Sequence, residues 1–186
     1  MSTDSLLVSA LLYIVVPAWL AFGLADWQCH RRAQIERNAG VRESFLHIAQ
    51  FTVVGIPLLA VLFLQVNAAI MLLMLVAVVA HQAIAVIDVR YANATRVVSP
   101  AEQHVHGGLE ALPVAATFLV IVLHWNEFRA LWGGGASFAL AFKQPPLPAW
   151  YLAAVLVAVG LFGVLPYAEE LRRTLRARRS SVARMD

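Results

Sequence analysis

The sequence predicts an all-α integral-membrane bundle of five transmembrane helices, and three observations carry that expectation. The chain of 186 residues is 61% hydrophobic and only 13% charged, against about 45–50% apolar and about 25% charged in soluble domains. Its mean hydropathy is +0.73, and its apolar residues gather in five runs close to the length that crosses a bilayer. Its basic residues lie almost wholly on one side of those runs, the asymmetry that orients membrane proteins. One domain is expected at this length. The net charge of +3, so distributed, points to a membrane surface and excludes a nucleic-acid partner.

The first span, 6–24, follows Asp4 with no Lys or Arg before it. It lacks the basic start of a cleavable signal peptide and is expected to be retained. The second and third spans, 45–64 and 68–89, are separated only by Gln65, Val66 and Asn67, which implies a tight antiparallel hairpin. The fourth, 103–123, is the least apolar because His104, His106 and Glu110 occupy its first turns. Ser99, Pro100 and Glu102 form a helix-start signature ahead of it, a capping box with Pro at the first helical position. The connection from 124 to 148 carries Trp125, Trp132, three consecutive glycines and Pro145-Pro146, so it should be partly irregular and lie along the interface. The fifth span, 150–167, leads into a basic tail, 168–186. Pro17, Pro57, Pro113 and Pro166 are expected to kink their helices by removing backbone donors. The single cysteine, Cys29, excludes an internal disulfide and any CxxC motif.

Twelve arginines follow the first, third and fifth spans, against Arg129 and Lys143 on the other side. The positive-inside rule then places the N-terminus outside and the C-terminus in the cytoplasm of a bacterial inner membrane.

Ionisable residues inside spans are costly and usually mark a site. Asp26 and His30 are four residues apart, as are Glu43 and His47, while Glu102, His106 and Glu110 stand at successive spacings of four. His81 and Asp88 are seven apart, two helical turns. Each set therefore shares one helix face, and the topology brings all of them to the cytoplasmic end of the bundle. Carboxylates and imidazoles converging from facing helices are the donor set of a dinuclear centre. The expected ligands are His30, Glu43, His47, His81, Asp88, His106 and Glu110, with Asp26 and Glu102 as ligands or supporting groups and Glu43 and Glu110 as bridges. Two iron ions are the expected cofactor, with zinc or manganese as alternatives. Asp26 has the rival reading of a pair with Arg31, Glu102 that of a helix cap, and Glu36 that of a solvated loop charge. His104 points away from His106, and His124 is expected at the interface beside Trp125.

The strings Asp26-Trp27-Gln28-Cys29-His30-Arg31, Glu43-Ser44-Phe45-Leu46-His47 and Glu102-Gln103-His104-Val105-His106 resemble a group of small bacterial integral membrane proteins of unassigned function. More loosely, histidines at the cytoplasmic ends of several spans look like the membrane di-iron desaturase and hydroxylase class. The chain departs from that class in lacking an H-x-x-x-H or H-x-x-H-H box and in carrying nearly as many carboxylates as imidazoles in the cluster.

The leading expectation is an integral-membrane metalloenzyme that oxidises a membrane lipid or another lipid-soluble substrate, supplied by an electron donor. A zinc hydrolase of a lipid amide or ester is the second reading, in which three histidines hold one ion and a carboxylate activates its water. A bis-histidine haem electron carrier is the third, with His47 and His81 as axial ligands; it leaves the carboxylates without a purpose. A proton or metal transporter is disfavoured because the polar groups stop on one side of the membrane.

Overall fold

The computed structural model describes residues 2–183, Val182 by its backbone only. Helices account for nearly all of it, and the sole β pairing among the described residues is an isolated bridge between Leu64 and Phe142. Among the described residues, five helices are long and apolar enough to span a membrane: α1 (Thr3–Ala33), α2 (Gly40–Phe63), α3 (Ala68–Thr95), α4 (Pro100–Leu123) and α6 (Ala149–Ser181). A short helix, α5 (Trp125–Gly133), lies in the long connection between α4 and α6.

The caps explain where the helices start and turn. Ser99 accepts from the Glu102 amide and opens α4, and Asn67 accepts from the Ala69 and Ile70 amides and opens α3. Gln34, at φ +50°, closes α1 in a left-handed cap, and Gly40, at φ +67°, supplies the positive φ that starts α2. Pro57 and Pro113 lie inside α2 and α4. Pro17 and Pro166 each follow a widened π turn, Leu11–Val15 and Gly160–Val164. A proline ring presses on the carbonyl four residues before it, here Tyr13 and Phe162, and the wider turn makes room at those positions.

The five long helices close into a ring in which α1 packs on α4, α4 on α3, α3 on α2, α2 on α6 and α6 back on α1. Two contacts depend on glycine. A Cβ on Gly108 would fall 2.5 Å from the Phe22 ring, and one on Gly163 would fall 2.6 Å from the Phe51 ring, so α4 approaches α1, and α6 approaches α2, only because these positions are bare.

Burial is inverted relative to a soluble protein. Phe118, Val79, Val76 and Leu161 face outward, whereas Asp26, His30, Glu43, His47, Asp88 and Glu102 are enclosed. An apolar exterior around a polar interior is the arrangement that lipid as solvent requires.

Several helices outrun their predicted ends. α1 continues to Ala33 and α3 to Thr95. The last helix runs unbroken through Ser181, so the first turns of the basic segment belong to the bundle, with Glu170 and Thr174 fully enclosed. No Gly or Pro follows Pro166, and nothing in the chain stops the helix where the apolar run stops. The connection at 124–148 is likewise more ordered than its composition implies. Its distal part docks on the α2–α3 turn: Gln65 donates to the Ala141 carbonyl at 2.9 Å, Asn67 to Ala139 at 2.7 Å, and Lys143 to Phe63 at 2.8 Å.

Candidate metal centre

The depth of each polar group follows from its helix. At about 1.5 Å per residue, His47 lies ~24 Å along α2 from Phe63, and His106 lies ~26 Å along α4 from Leu123. Glu43 and Glu102 lie ~30 Å along the same two helices. The cluster therefore sits where a hydrocarbon core of about 30 Å ends, at the arginine-rich end of the ring. His81 and Glu110, each ~20 Å from the opposite end of its helix, are the deepest members.

Glu170 organises the centre. One carboxylate oxygen lies 3.0 Å from His30 Nδ1 and the other 2.8 Å from His47 Nδ1. An ionised carboxylate only accepts, so both rings carry a proton on Nδ1 and turn Nε2 inward. The two rings stack with centroids 4.2 Å apart and planes within 5°, so their Nε2 atoms leave the stack side by side.

What those nitrogens face is the critical feature. His30 Nε2 lies 3.4 Å from Asp26 Oδ1 and 3.5 Å from Glu102 Oε1, while His47 Nε2 lies 3.3 Å from Asp88 Oδ2 and 4.0 Å from Glu43 Oε1. Asp26 Oδ1 also lies 2.9 Å from His106 Nε2. In the neutral rings, with the proton on Nδ1, the Nε2 atoms of His30 and His47 are acceptors that face acceptors. His30 Nε2, His47 Nε2, Asp26 Oδ1, Asp88 Oδ1 and His81 Nδ1 are buried without a hydrogen-bond partner, a condition that buried polar groups rarely tolerate. Donor atoms about 2.1 Å from a shared ion are ~3.0 Å apart in octahedral and ~3.4 Å apart in tetrahedral arrangement, which is the spacing seen.

Two sets of three residues can each place one donor atom within 4.8 Å of the others: Asp26, His30 and His106, and His30, Glu43 and His47. The sets share His30 and are therefore adjacent. Buried His, Asp and Glu groups of this kind can hold metal. Five enclosed carboxylates, Asp26, Glu43, Asp88, Glu102 and Glu170, are opposed by one enclosed guanidinium, Arg96. With neutral histidines the remaining four negative charges match two divalent cations. Protons on both Nε2 atoms would also supply positive charge, but they would stack two imidazolium rings at 4.2 Å, a repulsion of about 4 kcal/mol at an effective dielectric near 20.

Arg96 alters the roles of two expected ligands. It donates to Glu43 through Nε at 3.1 and 3.2 Å and through a terminal nitrogen at 2.5 Å, and it reaches both oxygens of Glu102, one of them at 3.0 Å. Burial works against its charge, but the hydrogen bonds to Glu102 and Glu43 and the charges of both hold its pKa above the ordinary arginine value. Glu43 is thus neutralised at the rim and is not a free bridge. Glu110, the other expected bridge, belongs to neither set of three; it is half-buried at the edge of a small cavity, and its backbone carbonyl accepts from Gln82. That cavity, about 30 Å³, is lined by His47, His81, His106, Asp26, Asp88 and Tyr167 among others, and is roomy enough for about two water-sized guests.

The remaining expectations resolve individually. Asp26 does not pair with Arg31, whose guanidinium lies over the Trp27 ring at 5.0 Å. Glu36 is not a solvated loop charge: it sits in a 3-10 turn, Ile35–Arg37, and ion-pairs with Arg173. Glu102 begins α4 as the capping signature implied, but its carboxylate goes to Arg96. His104 is exposed and bonds to the Pro100 carbonyl, and His124 caps the far end of α4.

Four participants escaped the sequence reading. Glu170 orients two histidines, Tyr167 walls the small cavity, Gln50 donates to Asp88 at 3.0 Å, and Arg96 ties α2 to α4. The unbroken helical pattern after Pro166 was the one available signal for Glu170. On the apolar side of the centre, Trp19 stacks on Phe51 with centroids 5.7 Å apart. Trp19 also borders a second, apolar cavity of about 160 Å³. Compared with protein-family models, curated proteins and solved structures, the chain matches none, and its chemistry rests on these residues.

Proposed function

We propose that the chain is an integral-membrane oxidoreductase with a dinuclear iron centre at the cytoplasmic leaflet. The observation that carries this reading is the Glu170 clamp, which holds His30 and His47 through Nδ1 so that both Nε2 atoms, themselves buried without a hydrogen-bond partner, face carboxylate oxygens. A carboxylate behind a metal-binding imidazole is the usual means of fixing its tautomer and orientation. His30, His106 and Asp26 would hold one ion. His47 and Asp88 would hold the other, with His81 as a further donor from the deep side. Iron is favoured over zinc by the richness in carboxylate, since zinc is satisfied by three or four ligands whereas di-iron bundles use carboxylates and histidines together.

Bound iron would supply the activation of dioxygen that protein side chains alone cannot provide. In a hydroxylation, two of the four electrons that reduce dioxygen come from the substrate C–H bond and two from a separate donor; one oxygen atom enters the substrate and the other leaves as water. The chain's own contribution is a small pocket separated by Trp19, stacked on Phe51, from the apolar cavity beyond it. Under the positive-inside rule this end of the bundle faces the cytoplasm, where an electron donor has access.

The test is elemental analysis of the full chain purified without a metal-affinity tag. About two iron ions per chain are expected. One zinc per chain with no iron would overturn the proposal in favour of a hydrolase, and a Soret band would overturn it in favour of haem.

A further inference from the structure

The apolar cavity has a position and an unbalanced end that its role as mere packing space leaves unexplained. It lies between α1, α2, α3 and α4 and reaches from Trp19 to His124 and Lys143. Along α4 its lining runs from Leu112 to Leu123, ~17 Å at 1.5 Å per residue. Half of a hydrocarbon core of about 30 Å is ~15 Å, the depth filled by the chains of one leaflet. The cavity is therefore about as long as one lipid chain and is partly open to its surroundings, so that a chain can lie along it without being enclosed in its about 160 Å³, and one of its ends meets the wall of the candidate metal centre.

Its other end carries a cation. Lys143 is half-buried there, its backbone fixed in place by the hydrogen bond that its N–H donates to the Phe63 carbonyl and by the docking of 139–142 on the α2–α3 turn. No carboxylate lies within ion-pair distance of Lys143 among the described residues. Burial pushes its pKa below the ordinary lysine value, and burial followed by the Lys143 charge does the same to His124. A lysine that contributes to an apolar cavity and lacks an internal counter-ion is stabilised by a ligand that brings an anion with it.

We infer that the apolar cavity binds a single-chain anionic lipid, such as a long-chain carboxylate, with its head group on Lys143 and its chain end directed to Trp19. The head group thus sits at the membrane face opposite the metal centre, and the part of the chain farthest from the head is presented to the oxidising site. The assignment of this lipid as a substrate rests on the proposed oxidoreductase reading; the binding site itself does not.

Binding of radiolabelled dodecanoate and dodecanol to the full chain in phosphatidylcholine nanodiscs, corrected against empty nanodiscs, tests the inference. Saturable binding of dodecanoate near one per chain is expected, with dodecanol about tenfold weaker or more, the value of one charge-assisted contact. Lys143→Gln should weaken dodecanoate by a similar factor and leave dodecanol unchanged. Ala116→Phe, which fills the cavity from α4, should abolish both. Equal affinity for acid and alcohol, or a Lys143→Gln variant that binds dodecanoate as the wild type does, would overturn the head-group assignment. Undiminished binding in Ala116→Phe would overturn the cavity. Metal content is measured in the same preparations: normal lipid binding without iron would remove the oxidoreductase reading and leave the lipid site standing, and normal iron without lipid binding would do the reverse.

Discussion

Glu170→Gln isolates the residue on which the architecture of the centre turns. The carboxylate accepts from His30 Nδ1 at 3.0 Å and from His47 Nδ1 at 2.8 Å. A carboxamide has nearly the same shape but offers one acceptor oxygen and one donor nitrogen. Only one histidine can keep its proton on Nδ1. The other must accept from the new amide, which moves its own proton to Nε2 and aims an N–H at the carboxylates that it faced as an acceptor. That histidine becomes hydrogen-bonded and ceases to be a ligand. Loss of such an orienting partner lowers metal affinity by about 10–100-fold, and here the loss falls on one of two ions. Metal content at limiting free metal should fall from about two per chain to about one, with helical content by circular dichroism retained. Glu170→Ala, which releases both rings, should lose both ions. Unchanged metal content in Glu170→Gln would refute the claim that this carboxylate sets the tautomers, and equal loss in the two variants would refute the one-acceptor argument.

Further outcomes follow from the same geometry. His30→Ala and His47→Ala should each lower metal content by about one ion per chain, because each ring would serve one of the two proposed ions, while His104→Ala and His124→Ala should leave metal content at the wild-type level; the measurement is metal per chain in folded protein. Gly163→Ala places a methyl 2.6 Å from the Phe51 ring, an overpacking of about 1–3 kcal/mol, and should lower the thermal midpoint in detergent and change tryptophan emission through the Trp19 stack; an unchanged midpoint would mean that α6 and α2 can move apart freely. A reporter active only in the periplasm, fused after Asp186, should be silent; strong activity in the intact fusion would reverse the orientation and put the metal centre on the other face.

How much was legible in the sequence depends on the range of the interaction. Helix number, the α2–α3 hairpin and the clustering of His30, His47 and His106 follow from local spacing and hydropathy, because a helix converts a separation of four residues into one face. The roles of Arg96 and Glu170 do not. Arg96 looks like one more basic residue that orients a span, and only the closure of the ring sets it between Glu43 on α2 and Glu102 on α4. Glu170 sits among arginines in a segment where hydropathy falls, and hydropathy reports where lipid ends, which is not where a helix ends. The bundle projects past the hydrocarbon, and part of the candidate site is built from that projection.

The same projection explains how one pocket can be rich in charge and still be formed by a membrane protein. Glu43 and Glu102 lie near the aqueous boundary, where Arg96 neutralises them at low solvation cost, while Asp26, Asp88 and the three stacked or adjoining imidazoles lie a turn or so deeper. Glu43 Oε1 touches the guanidinium at 2.5 Å and also stands 4.0 Å from His47 Nε2. Glu102 likewise stands 3.5 Å from His30 Nε2 while bonded to Arg96. Arg96 and the two histidine Nε2 atoms therefore share these carboxylates, with the guanidinium on the water side and the histidines on the lipid side. A cation entering from water meets carboxylates already lightened of half their charge, and the full attraction lies beyond them, at Asp26 and Asp88. Hydrocarbon approaches from the opposite direction and meets Trp19. On the proposed oxidoreductase reading the two routes would end at Trp19, which borders both cavities, so that ions and an oxidisable chain could be brought close together without either having to cross the other's medium.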